Sequence, residues 1–154
     1  MSLETIDNLT DETIDQLKEL VQINIDSAEG FEQVIEQTDD ADLKLLFEDG
    51  QRQRAGFAQR LRQVVEMNDE DVKMSDSLAA QLHRWWISVR ETISTSDRHA
   101  ILCEAERGEE AILDKYRKCV PATAGSPLND ELNSQFEDIL GMKKRIEQLR
   151  KQAE

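Results

Sequence analysis

A carboxylate sits where a long helix of this chain should be apolar. From His99 onward, Leu102, Ala105, Ile112, Tyr116 and Cys119 recur at spacings of three and four with one gap, and Glu109 fills the gap. A charge facing a helical core is costly unless it meets an opposite charge or a metal. Two further positions break apolar seams in the same way. Asn24 interrupts Ile14, Leu17, Val21, Ala28, Phe31 and Ile35, and Arg54 interrupts Leu43, Phe47, Gly50, Phe57, Leu61 and Val64. The chemistry open to these three is an ion pair. A guanidinium fork holds a carboxylate through two parallel hydrogen bonds, and an amide satisfies what is left over.

Metal chemistry is the rival use of a buried carboxylate. His83 and His99 are the two histidines, and the residues three before them are Ala80 and Ser96, so no Glu-x-x-His occurs. His99, Cys103 and Glu106 do share one helix flank at spacings of four and three, a weaker candidate zinc site. His83, beside Arg84 and Trp86, reads as a packed or surface-bonded side chain rather than a catalytic base. There is no Ser–His–acid spacing, glycine-rich phosphate loop or nucleophile elbow, so no catalytic residue is assigned.

The elements that must position these groups can be read from caps and periodicity. Thr10 caps a first helix that ends near Thr38, with Asp11 and Glu12 in its first turn. Asp40 caps a second, from about Ala41 to Met67, after a link so short that the two form an antiparallel hairpin. Beyond the polar break from Asn68 to Lys73, a helix from Ser75 or Asp76 to about Ser94 serves as a crossover, anchored by His83, Trp85 and Trp86. Ser96 is expected to cap the next helix, which stops before Pro121. Ser126-Pro127 should open the last, with Leu132, Gln135, Ile139, Met142, Ile146 and Leu149 on its seam. Residues 1–9 are expected to fray.

Two hairpins joined by a crossover of bundle length make the topology of a ferritin-like four-helix bundle, all-α and a single domain over 1–154, with 68–97 as the crossover connection. Counted from the end holding the first hairpin turn, Asn24, Arg54 and Glu109 lie at nearly equal depth at about 1.5 Å per residue. They are expected to form one layer, an Arg54–Glu109 pair completed by Asn24. Such bundles place a dinuclear iron or manganese site there, built from glutamates and Glu-x-x-His pairs. A fixed arginine in that layer would repel a dication, so the expected cofactor is none, with iron, manganese or zinc as the alternative.

Bulk properties point the same way. The chain carries 34% charged residues and a net charge of −14, concentrated on residues 1–50, where fifteen acids face two lysines. Such a surface repels phosphate backbones, so nucleic acid is not an expected partner. A basic protein docking on the acidic first helix, or a second copy of the chain, is the partner class that remains. No run approaches the roughly 20 apolar residues of a membrane span, and no signal-peptide pattern opens the sequence. A cytoplasmic location is the expectation. Cys103 and Cys119 stand on one helix too far apart to bridge.

Several of these pieces together resemble a bacterial ferritin-like family of unknown function, loosely linked to stress. The likeness spans about residues 14–150. It rests on Glu29-Gly30-Phe31, Gln53-Arg54 with Phe57 and Leu61, Ser77-Leu78-Ala79 with His83-Arg84 and Trp86, and Arg145-Ile146 with Leu149-Arg150. Its firmest part is His99-Ala100-Ile101-Leu102 through Glu104 and Glu106-Arg107-Gly108-Glu109 to Tyr116. Lys143 stands where the resemblance implies a histidine on the last helix, a departure that weakens any metal ligand there. The resemblance implies a fold and no established reaction. The function expected is structural or interaction-based and non-catalytic, with a ferritin-like metal-binding protein or di-iron oxidoreductase as the alternative.

Overall fold

The computed structural model describes residues 4–68, 70, 84, 87, 91 and 97–153. Those residues form a helical bundle of four long helices: α1 (Asp11–Gln37), α2 (Ala41–Met67), α3 (Arg98–Ala122) and α4 (Asn129–Gln152). The expected crossover helix and its anchors His83, Trp85 and Trp86 lie outside the described residues. Of that stretch Arg84, Ile87 and Glu91 are described, each helical and exposed. No helix among the described residues is long and apolar enough to cross a membrane.

The first two helices begin where their caps dictate. Thr10 Oγ1 accepts from the Thr13 amide at 3.2 Å, and Asp40 Oδ1 accepts from the amides of Asp42 and Leu43 at 3.0 and 3.2 Å. The link of Thr38 to Asp40 is too short for anything but an antiparallel hairpin. Side-chain bonds fix the remaining directions. Gln16 meets Cys119, Glu19 meets Lys115 and Asn24 meets Tyr116, so α1 and α3 are antiparallel. Arg60 meets Glu131, Gln53 meets the Asp138 carbonyl and Asp49 meets Arg145, so α2 and α4 are antiparallel too. It follows that α2 and α3 run parallel, and they face each other across the bundle's diagonal.

Three boundaries differ from the sequence reading. The cap of α3 is Asp97, whose side chain accepts from the Ala100 amide, rather than Ser96. The helix also runs through Pro121 to Ala122 instead of stopping before it. Proline removes the N–H that the Arg117 carbonyl would accept, a loss of one bond in the last turn, and two side chains hold the carbonyls beyond it. Thr123 Oγ1 donates to the Cys119 carbonyl at 2.9 Å, and Asn129 Nδ2 donates to that of Val120 at 2.7 Å. Ser126 and Pro127 form a turn rather than the first turn of α4. Ser126 Oγ accepts from the Leu128 amide at 3.3 Å, and the helix starts two residues after Pro127. Gly125, at φ 88°, makes that turn possible.

Residues 4–9, expected to be loose, are tied to the bundle. Glu4 Oε1 accepts from the Thr10 amide at 2.8 Å, and the Leu9 amide donates to Asn68 Oδ1 at 2.9 Å. Leu9 itself is buried. The apolar core has two parts. One gathers Leu17, Leu20, Leu61, Val64, Tyr116 and Leu132, and the other Phe31, Leu43, Phe47, Leu102, Met142 and Ile146. Between them on α1, α2 and α3 lie Asn24, Arg54 and Glu109, the polar residues that broke the seams.

Candidate functional site

Arg54 and Glu109 meet in the middle of the bundle. Arg54 Nη1 donates to Glu109 Oε1 at 2.7 Å and Nη2 donates to Oε2, a fork-to-fork contact. Both side chains are 0% exposed. Parallel, diagonal helices make this reach possible, because both side chains lean toward their own helix N-terminus and so toward the same end of the bundle. Four of the guanidinium's five N–H donors are engaged. Nη1 also donates to Ser27 Oγ at 3.0 Å, Nε donates to Gln53 Oε1 at 3.1 Å, and the Phe31 ring lies 5.5 Å from the guanidinium carbon. Phe31 in turn stacks on Phe47, with centroids 5.7 Å apart.

Asn24 does not complete this layer. Its Nδ2 donates to the Leu20 carbonyl at 2.8 Å and to the Tyr116 hydroxyl at 2.9 Å, and that hydroxyl donates to Gln135 Oε1 at 2.8 Å. These three form a second, neutral layer. The reason is direction. Because α1 runs opposite to α2 and α3, its side chains lean away from the first hairpin turn while those of Arg54 and Glu109 lean toward it. Asn24 therefore meets the long Tyr116 side chain coming the other way, and Ser27, nearer the turn, takes the place expected of Asn24. Burial pushes the Tyr116 phenol well above its ordinary pKa, so it stays a neutral donor. Asn24 Oδ1 is buried and meets no donor among the described residues.

Sequence reasoning missed Ser27, Gln53 and the Asn24–Tyr116–Gln135 chain. Ser27 carried a usable signal, a small hydroxyl one helical step from Asn24 on a face otherwise apolar. Tyr116 and Gln135 were both placed on their seams, and only the long reach of the tyrosine hydroxyl was absent from the reading.

The residues around the pair do not fit a dinuclear metal centre. At mid-core, α1 offers Asn24 and Ser27, α2 an arginine, α3 a single carboxylate already engaged by that arginine, and α4 Gln135. The second candidate set is not brought together either. Cys103 Sγ lies 3.8 Å from both ring nitrogens of His99, but Glu106 is turned to Arg150, whose Nε donates to Oε2 at 2.6 Å. Among the described residues, no three His, Cys, Asp or Glu side chains converge on a common point. Burial pushes the Cys119 thiol up to about 11, so it packs as a neutral group.

Comparison with known protein families gives a match. A family model for a domain of unknown function (DUF2383) covers residues 12–121, which takes in α1, α2 and nearly all of α3 with Arg54 and Glu109. No curated protein and no solved structure matches the chain.

Proposed function

The chain belongs to the DUF2383 domain family, and from that premise we propose that it is a non-catalytic structural or interaction protein. On this reading it is a ferritin-like bundle whose mid-core metal centre has been replaced by the Arg54–Glu109 ion pair. Support for the topology comes from the parallel, diagonal placement of α2 and α3, which a ferritin-like bundle shares. The observation that carries the functional reading is the guanidinium itself. A permanently charged cation bonded to the one central carboxylate occupies the space and cancels the charge that a pair of dications would need. What remains is a rigid scaffold with an acidic first helix, suited to being bound rather than to transforming a substrate.

The test is metal analysis of protein purified without chelator from cells grown with added iron, manganese and zinc. The reading expects every metal well below one equivalent. Stoichiometric iron or manganese, lost on Glu109→Ala, would replace it with a ferritin-like metal-binding protein or oxidoreductase.

A further inference from the structure

We infer that the groove between the outer faces of α1 and α2 docks a basic amphipathic helix of a partner protein. This deepens the interaction reading but uses none of the core residues on which the metal argument rests.

The groove has a volume of about 320 Å³. Its floor is Ile25, Ala28, Ala55 and Ala58, and Glu29 and Glu32 stand on its α1 rim. Alanines leave room for another backbone to come close, and an apolar floor between polar rims is the form in which helices are received in grooves. The rim charges say what kind of helix. Elsewhere on the bundle several acids are answered from within the chain. Glu110 meets Lys143 and Arg117, Asp49 meets Arg52 and Arg145, Glu106 meets Arg150, and Glu131 meets Arg60. Glu29 and Glu32 meet no base among the described residues. Their helix carries eight acids and a single lysine, and that lysine is engaged by Glu70. Across the groove, Arg62 is drawn to Glu66 on its own helix. The α1 rim thus carries negative charge that no base among the described residues answers. A second copy carries a net −14 of its own, so the occupant that fits is lysine- or arginine-rich, with an apolar stripe to meet the alanines.

The probe is a fluorescein-labelled synthetic helix with a leucine and alanine stripe flanked by lysines, titrated with the full chain and read by anisotropy. The expected result is saturable binding in the micromolar range. The double variant Glu29→Lys with Glu32→Lys weakens it about tenfold, as loss of two exposed ion pairs implies. Ala55→Trp, which blocks the floor at an exposed position without changing charge, weakens it at least as much while the far-UV spectrum stays native. A peptide with the same stripe and glutamates for lysines does not bind. Failure of the lysine peptide to bind would overturn the inference. So would equal binding to Ala55→Trp, which would mean general attraction to an acidic surface. Sedimentation showing a dimer that Ala55→Trp dissociates would give the groove to a second copy instead. None of these outcomes alters the metal content, so the two readings fail separately.

Discussion

Deleting Glu109 strands a guanidinium that cannot shed its proton. In Glu109→Ala, Arg54 keeps Ser27 Oγ and Gln53 Oε1 as acceptors but loses both carboxylate oxygens in a place that water does not reach. Removing one member of such a pair costs about 3–5 kcal/mol, most of it the burial of the uncompensated charge. Removing both members is a different perturbation. In Arg54→Met with Glu109→Leu the volume is roughly kept, and the methionine sulfur inherits the contact with Phe31. Ser27 Oγ and Gln53 Oε1 each lose a donor; the hydroxyl can turn to the carbonyl one turn back on α1, and the half-buried Gln53 amide can turn to water. The double variant should therefore lose no more than about 1–2 kcal/mol. Urea unfolding followed by far-UV circular dichroism, with unchanged m-values, gives both numbers. The expected signature is a single variant less stable than the double. Equal losses, or a loss below about 1 kcal/mol for Glu109→Ala, would refute the reasoning, because neither is compatible with a coupled buried pair.

Five further outcomes are expected. Gly50→Ala should destabilise by about 1 kcal/mol even though alanine favours helix, because its Cβ would stand 3.0 Å from the Phe31 ring. Gly56→Ala, with nothing within 4 Å, should stabilise by up to about 1 kcal/mol in the same urea assay. Tyr116→Phe should cost about 1–2 kcal/mol, since Gln135 Oε1 loses its donor in a buried site. Burial holds the Asp26 carboxyl above its ordinary 3.8, with a hydrogen bond from Gln22 opposing and the charge of Glu29 adding. A raised carboxyl favours folding only while protonated, so its contribution is lost as pH rises through the folded value. Asp26→Asn should accordingly raise the urea midpoint at neutral pH and leave it unchanged in acid. Native protein should react with a thiol reagent at Cys103 alone, the buried Cys119 following only after unfolding.

The sequence was most informative where the physics is local. The caps Thr10 and Asp40 and the alternating apolar steps placed α1 and α2, because a helix start and an amphipathic face are written within a few residues of themselves. Arg54 and Glu109 stood out for the same reason, each being one charge in an apolar series, and counting residues along the bundle was enough to set them level. What counting omitted was the lean of a side chain along its helix. That lean, opposite in α1, is why Asn24 joins Tyr116 and Gln135 while Ser27 joins the ion pair. The end of α3 was misread because Pro121 is a strong local stop. It is overridden by Thr123 and by Asn129, residues that follow the proline and are brought to the helix end by the turn. The groove between α1 and α2 is invisible to a seam-by-seam reading, since it belongs to the outer faces of two helices together.

The central claim concerns what occupies the space between α2 and α3, and anomalous X-ray diffraction at the iron edge addresses it directly. Crystals grown from protein incubated anaerobically with excess ferrous iron should show no anomalous peak at mid-bundle, with the Arg54 fork still closed on Glu109. A peak there, with the guanidinium swung aside and the carboxylate bound to the metal, would contradict the account.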